Sequence, residues 1–244
     1  DMNREEQNDL LFTYNISQLV ISENINLLLF PIINFDLKFK ELINNKDFID
    51  IKKNIKDIKK DDILNIRIYE NYNKMYTLEN YIKNNNLSII DYKVLFFQLL
   101  YFIYLVESKY NGFKHNQLSY DNIYICINKN KQIYNINDIK FKIPNVNFEI
   151  KVFNFRKSEI INKENNQDPY YDIYYFFNSF LVLLNKHNKK VPSNVLNFIK
   201  LILPNELITK NYNNLNVMGN AYYKKFNNNN NINQKIILSK NNFF

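Results

Sequence analysis

The chain has few of the residues that build disulfides, metal sites and tight loops. In 244 residues there are one cysteine, two histidines, two glycines and no tryptophan. A single cysteine excludes a disulfide within this sequence, which fits a reducing compartment only weakly. One cysteine and two histidines cannot form a Cys/His zinc site. Two glycines cannot supply a glycine-rich phosphate-binding loop. We therefore expect no metal and no cofactor.

Signals for membrane insertion and export are also scarce. No apolar run approaches the roughly 20 residues that span a bilayer. The N-terminal stretch "DMNREEQND" is charged and has no apolar signal-peptide core. We therefore expect no membrane span and a cytoplasmic protein, located in the host cytoplasm or in the virion if the protein is viral.

The composition that remains is apolar and basic. Hydrophobic residues make up 46% of the chain, which is enough for a real core, and the formal net charge is +8. A basic protein is a candidate for nucleic-acid binding. However, Asn, Lys, Ile, Tyr and Phe are all over-used, as in the proteins of genomes rich in A and T. The charge is therefore explained more simply by codon bias, and both interpretations stay open.

Hydrophobic periodicity predicts an α+β protein in which a small strand-rich part precedes a mainly helical part. Apolar residues three and four apart indicate helices, and alternation or short apolar runs indicate strands. The predicted helices cover 4–21, 89–110, 170–184 and 192–203, and the predicted strands cover 63–70, 123–127 and 148–153. Residues 37–62 are interpreted as an exposed helical insertion. Gly112 is expected to adopt the left-handed conformation after the second helix.

Three motifs occur in one order along the helical part. The stretch "HNQLSYDN" places His115, Leu118 and Asn122 at the spacing of the loop H-R-D-L-x-x-x-N. The strand "FEIKVFNFR" then ends in Asn154, Phe155 and Arg156. The last motif, "DPYYDIYYFFNSF", carries Asp172 at the start of an apolar helix.

With their surroundings, these motifs resemble the serine/threonine protein kinases of large nucleocytoplasmic DNA viruses over about residues 24–244. The resemblance implies an α+β, protein-kinase-like fold. It places a reduced N-terminal lobe at 1–72, with the insertion near 37–62, and a helical C-terminal lobe at 73–244. It also implies that Asn154, Phe155 and Arg156 stand where kinases carry Asp-Phe-Gly, and that Asp172 caps the catalytic loop.

Several positions depart from the kinase pattern. Gln117 stands where the catalytic Asp accepts a proton, and an amide cannot accept one. Asn154 replaces the magnesium-binding Asp, and Arg156 adds bulk and positive charge beside it. Asn122 matches a metal-binding position but cannot hold magnesium alone. Glu5 or Glu6 would occupy the acidic position of the first helix, with no lysine partner. These departures predict a pseudokinase that is not an enzyme and has no intact catalytic residue.

Three functions compete at this stage. The leading hypothesis is an inactive scaffold, structural subunit or regulatory subunit that binds another protein chain, such as an active kinase or a viral complex subunit. The resemblance implies a viral origin. The second is a nucleotide-binding protein or an atypical serine/threonine kinase. The third is a basic nucleic-acid-binding subunit of a viral transcription or packaging complex.

Each key residue also has a plain structural interpretation. His115 is expected to be a packed core residue rather than a chemical group, and Asp172 a buried cap. Asn122 and Asn154 could be asparagines of codon bias, although the spacing of Asn154 favours descent from Asp. Lys151 is expected to be solvated. The tyrosines of 170–175 are interpreted as core residues. A base-stacking platform is the less favoured alternative.

Overall fold

The α part of the fold contains six α-helices within the described residues. The computed structural model describes residues 4–44, 58–128, 133–136, 139–143, 147–161 and 170–203. Within these residues the helices are α1 (Arg4–Ser22), α2 (Phe39–Ile43), α3 (Leu78–Asn84), α4 (Ile89–Lys109), α5 (Tyr171–Lys186) and α6 (Ser193–Ile202). The four helices predicted from periodicity are confirmed to within a residue or two at most ends.

In the described residues the strands are short and pair with one another in the antiparallel sense, and Leu28 forms one isolated parallel bridge with Val152. They are β1 (Pro31–Lys38), β2 (Ile63–Tyr69), β3 (Met75–Thr77), β4 (Phe113–Lys114), β5 (Ile123–Ile127), β6 (Ile133–Ile136), β7 (Ile139–Lys142), β8 (Phe148–Val152) and β9 (Glu159–Ile160). In the described residues they form one three-stranded sheet, β3-β5-β8, and the two-stranded sheets β1-β2, β4-β9 and β6-β7. The predicted α+β class is confirmed.

Helix α4 is the centre of the core. Ser88 starts it with a capping box, in which its hydroxyl accepts from the Asp91 backbone and the Asp91 carboxylate accepts from the Ser88 backbone. Near its middle, the fully buried Phe96 contacts the rings of Phe177 and Phe180, with centroids 5.0 and 5.4 Å away. These edge-on aromatic contacts pack α4 against α5. The two packed helices support the loops that connect them.

By length and composition alone, α4 could also cross a membrane. Its most apolar window is 72% buried inside the protein. The statement that no apolar run approaches bilayer length is therefore wrong for α4. Its burial is nevertheless what the core helix of a folded domain shows.

The three-stranded sheet carries the candidate site at one end. Residues 123–127 of β5 pair with residues 148–152 of β8, and Tyr124 lies opposite both Thr77 and Lys151. Between the two strands the chain forms the β6-β7 hairpin, which packs on α4 through Tyr134 and Tyr101, with ring centroids 4.9 Å apart. The connection between the two predicted strands thus contains a hairpin.

The chain divides into two compact units, of which unit 2 is residues 30–71 and unit 1 is the remainder. Unit 2 contains the β1-β2 ribbon and α2, and the part of the predicted insertion at residues 45–57 lies outside the described residues. Unit 1 contains α1, since Phe12 on α1 packs on Phe113 with ring centroids 5.7 Å apart. A compact unit is not the same thing as a kinase lobe, so the division at residue 72 stays a prediction. Residues 204–244 lie outside the described residues.

Candidate active site

Asp172 holds the start of the predicted catalytic loop. It lies in the first turn of α5, where the helix N-terminus favours a carboxylate. Its Oδ2 accepts the backbone N–H of His115 at 2.6 Å, and its Oδ1 accepts that of Asn116 at 2.9 Å. Asn116 adopts the left-handed conformation, with φ 61°. One buried carboxylate therefore satisfies two successive backbone donors in a sharp turn.

The His115 ring joins this loop to the end of β8. Its Nε2 is 3.1 Å from the backbone oxygen of Phe153, and its ring centroid is 5.0 Å from that of Phe155. The residue is 1% exposed. Burial lowers the pKa of His115 from 6.5 to about 4, so the ring is neutral at neutral pH and Nε2–H donates to the carbonyl. The geometry is that of a packed residue.

Asn122 and Asn154 meet at the end of the sheet. The Asn154 Nδ2 donates to the Asn122 Oδ1 at 2.8 Å, and the Asn122 Nδ2 donates to the Gln117 backbone oxygen at 2.7 Å. Asn154 has φ 67°, a left-handed conformation that asparagine tolerates better than most residues. The structure therefore brings together the two amides that the motif spacing singles out.

This amide pair does not fit a magnesium centre. Magnesium prefers carboxylate and water oxygens, whereas the two side chains are neutral and the Asn122 oxygen already accepts a hydrogen bond. In the described part of the chain, no group of three or more His, Cys, Asp or Glu side chains is placed to hold a metal.

The other predicted site residues differ in exposure. Phe155 is fully buried and packs between Phe102 and Phe113. Gln117 is half-buried and Arg156 is exposed. Of the three residues at the Asp-Phe-Gly positions, only the aromatic one has a core role in the described structure.

Helix α1 contacts the segment after Asn154 through three polar side chains. The Asp9 Oδ1 accepts the backbone N–H of Phe155 at 2.6 Å, and Asn8 lies within 3.5 Å of the Arg156 and Ser158 carbonyl oxygens. Glu5 forms an ion pair with Lys157. Asp9 was missed in the sequence, where Glu5 and Glu6 were the acidic candidates. The spacing places Asp9 one helical turn after Glu5 on the same face, but it does not indicate which residue Asp9 contacts.

An aromatic pair lines the same face of the sheet as these amides. The rings of Tyr124 and Phe153 are stacked, with centroids 4.6 Å apart and planes at 24°, and both residues are half-buried. Alternation along β5 and β8 places them on one face. Lys151 lies on that face too, and the expectation that it is solvated is wrong, because it is fully buried. The tyrosines at 174 and 175 are buried, which favours the core interpretation of that run.

Comparison with known proteins finds distant viral relatives. No family model matches the chain. A protein of Acanthamoeba polyphaga mimivirus named "Putative serine/threonine-protein kinase R400" is 27% identical over 160 residues, which are 53% of this chain and 34% of that protein. "Uncharacterized protein R402" of the same virus is 24% identical over 206 residues, which are 80% of this chain and 24% of that protein. The chain thus spans about a third of one relative and a quarter of the other.

These similarities support a viral, kinase-like protein. They contradict the prediction that the chain is not an enzyme, because one relative carries the name of an enzyme. That prediction rested chiefly on the neutral residues at positions 117 and 154, together with Arg156 and the missing glycine-rich loop and lysine partner. Replacing a carboxylate by an amide weakens proton acceptance and metal binding at a site, but it leaves the surrounding structure in place. Here the start of the loop is held by Asp172.

Proposed function

We propose that the chain is a kinase-like domain that binds an adenine nucleotide and transfers its terminal phosphoryl group, at a low rate, to a serine or threonine hydroxyl. The observation that carries the proposal is the assembled loop. Asp172 and His115 fix its start, and the Asn122–Asn154 hydrogen bond joins its end to the segment after β8. These contacts connect segments far apart in sequence.

The stacked pair of Tyr124 and Phe153 is the proposed binding surface for the adenine base. Half-buried aromatic rings at the end of a sheet offer a flat apolar surface, and stacking of a base on such a ring contributes about 1–3 kcal/mol. Asn122 precedes Tyr124 by two residues and Asn154 directly follows Phe153, so their amides are the groups proposed to hydrogen-bond sugar or phosphate oxygens.

The acceptor hydroxyl would lie at Gln117. The carboxamide can hydrogen-bond and orient the hydroxyl, but it cannot take its proton. In the transfer, the hydroxyl oxygen forms a bond to the terminal phosphorus, and the bond from that phosphorus to the departing nucleoside diphosphate breaks. The hydroxyl proton passes to a phosphoryl oxygen or to water. A low rate follows, because positioning contributes while base catalysis does not.

The experiment measures nucleotide binding first. ATP at millimolar concentration should raise the melting temperature of the chain, because a ligand that binds only the folded state stabilises it. The rise should be equal in EDTA and in magnesium chloride, since the amide pair does not fit the metal. Tyr124→Ala should abolish the rise, whereas Tyr76→Ala, which removes an exposed tyrosine of β3, should keep it. No rise with ATP in either buffer would reject the proposal.

A radiolabel assay then tests transfer. The wild-type chain should label a serine- and threonine-containing acceptor protein slowly, and the double variant Gln117→Asp with Asn154→Asp should label it faster and only with magnesium. If the double variant binds ATP but is no faster than the wild type, the assignment of Gln117 to the acceptor hydroxyl is wrong.

A role as a protein-binding subunit stays a prediction, with one observation in its favour. On the β1-β2 ribbon, Ile32 and Ile63 are 63% and 67% exposed, an unusual position for large apolar side chains. If the ribbon contacts another chain, Ile32→Lys with Ile63→Lys should lower self-association or partner binding in sedimentation experiments. The proposed partners, including nucleic acid, and the cytoplasmic location are likewise predictions.

A further inference from the structure

Helix α1 has a second apolar side, which lies roughly opposite the side that it buries. Leu11, Tyr14 and Ile21 are 56%, 62% and 56% exposed, whereas Phe12 and Ile16 belong to the core. With 3.6 residues per turn, the exposed set and the buried set point in nearly opposite directions. A surface helix normally carries polar and charged side chains on its outer side. Three large apolar side chains there indicate a surface that contacts something.

The outer side of α1 follows a heptad pattern. Six exposed residues are separated alternately by three and four positions: Arg4, Gln7, Leu11, Tyr14, Gln18 and Ile21. We call these six residues the outer stripe. Their spacing is that of the a and d positions through which two helices pack along their length in a coiled coil. The stripe runs along all 19 residues of α1, which is about 28 Å at the rise of an α-helix.

The outer stripe is complementary to itself when two copies of α1 run antiparallel. If Leu11 lies opposite Tyr14 of the partner subunit, the same register sets Gln7 opposite Gln18 of the partner subunit. A twofold axis through the middle repeats each of these pairs, as in the isologous interface of a symmetric dimer. Apolar side chains then meet in the centre, and side-chain amides meet on either side of them.

The charges at the ends of α1 fit the antiparallel arrangement. Arg4 lies in the first turn and Glu23 directly follows the last residue, and both are exposed. Each charge is unfavourable at its own helix end, because the N-terminus of a helix is partly positive and the C-terminus partly negative. An antiparallel partner brings Arg4 to a C-terminal end and to the opposite charge of Glu23. A parallel partner would instead set like charges together at both ends.

We propose that the outer stripe is a dimerisation surface, at which α1 packs antiparallel against α1 of a second copy of this chain. The charges favour a second copy as the occupant, because each end of the helix supplies the charge that the other end needs. A contact of one helix per subunit belongs to the small interfaces, below about 1,200 Å², that form transient complexes. We therefore expect a dissociation constant on the order of 10 µM. The surface belongs wholly to unit 1 and is independent of the proposed function.

Sedimentation velocity of the full chain tests the dimer. The wild type should pass from monomer to dimer as its concentration rises from about 1 to about 200 µM, as mass action requires. Leu11→Glu would bury a charge at the centre of the interface and should raise the dissociation constant at least about tenfold. Leu201→Glu is the matched control, because Leu201 is 65% exposed but lies on α6. It should leave the dissociation constant unchanged.

Exchange of the end charges tests the antiparallel arrangement. Arg4→Glu alone, or Glu23→Arg alone, sets like charges together and should weaken the dimer about three- to tenfold at low ionic strength. The double variant restores opposite charges with their positions exchanged, so its dissociation constant should return close to that of the wild type. Helices packed in parallel would show no such recovery, because like charges would still meet at both ends.

Three results would overturn the dimer or its arrangement. The first is a chain that stays monomeric over the whole concentration range, and the second is equal weakening by Leu11→Glu and Leu201→Glu. The third is a lack of recovery in the charge-exchange variant, which would reject the antiparallel register.

A measurement on the monomer separates the dimer from a contact within the chain. At concentrations far below the dissociation constant, Leu11→Glu should keep the circular dichroism spectrum and melting temperature of the wild type, because Leu11 is exposed. A clear fall in the melting temperature of the monomer would mean that another segment of the same chain covers the outer stripe, and would also reject the dimer. An absence of nucleotide binding would leave all of these results unaffected.

Discussion

The backbone N–H of His115 donates to the carboxylate of Asp172 at 2.6 Å, although the two residues are 57 positions apart in the sequence. The same carboxylate accepts the next backbone N–H, from Asn116. This pair of bonds connects the predicted catalytic loop directly to the helical core. It also shows why a charged residue lies inside an apolar helix, because buried backbone donors need an acceptor.

Asp172→Asn should destabilise the fold markedly. An asparagine offers one acceptor oxygen in place of two, so its NH₂ group would face a backbone N–H without an acceptor. Loss of a buried, charge-assisted hydrogen bond costs about 3 kcal/mol, which should appear in urea denaturation monitored by circular dichroism. Asp36→Asn on the exposed ribbon is the control and should change stability by less than about 0.5 kcal/mol. Equal effects of the two substitutions would contradict the role of Asp172.

Gly112→Ala should also destabilise the chain. Gly112 has φ 81°, and an added Cβ would lie 1.9 Å from the Ile161 carbonyl oxygen. The left-handed conformation alone costs an L-residue about 1–2 kcal/mol, and the β4-β9 pair must move in addition. The melting temperature should fall by several degrees. Asn188→Gly, at another left-handed position with φ 52°, should keep or slightly raise it.

Much of the fold could be predicted because local patterns and the final packing agree. The stripe of apolar residues on α4 and the alternation of β2 each predict their element. Thr77 is a favourable N-cap residue, and its Oγ1 accepts from the Asn80 N–H at 3.1 Å at the start of α3. Gly112 was expected to be left-handed after α4, and it is.

The contacts of the candidate site were harder to predict, because they join distant segments. Nothing local in the sequence indicates that Asp9 reaches Phe155, or that Lys151 is buried against Asn26. A lysine on a strand is usually solvated, so its burial depends on the amide and the aromatic ring that two other segments supply. The motif spacing singled out the two amides that meet, whereas the length and apolar character of α4 were underestimated.

The ion pair at Glu79 should make stability depend on acid pH. A hydrogen bond from Lys186, at 2.7 Å, and the nearby His187 lower the pKa of Glu79 below its usual 4.5, although partial burial opposes this shift. A depressed folded-state pKa means that the stabilisation is fully present above the unfolded-state pKa and is lost as the pH falls through the folded-state pKa.

Glu79→Gln should therefore lower the free energy of unfolding at pH 6, and the difference from the wild type should shrink steadily below pH 4.5. Urea denaturation at a series of pH values measures this. Glu23→Gln, which removes an exposed carboxylate, is the control and should change little. A difference between Glu79→Gln and wild type that does not depend on pH would contradict the ion pair.

Asp9→Ala should loosen the segment that follows Asn154, whereas Glu5→Ala should not. Asp9 is 5% exposed and its carboxylate accepts the buried Phe155 N–H, so its removal leaves a donor without this acceptor, at about 2 kcal/mol. Glu5 and Lys157 are each about half exposed, and such pairs contribute about 0–1 kcal/mol. Both residues lie on one face of α1, so the comparison separates burial from charge. Hydrogen exchange over residues 153–161 should accelerate at least tenfold in Asp9→Ala and stay near wild type in Glu5→Ala. Similar acceleration in both variants would mean that net charge on α1, rather than the buried bond to Phe155, holds the segment in place.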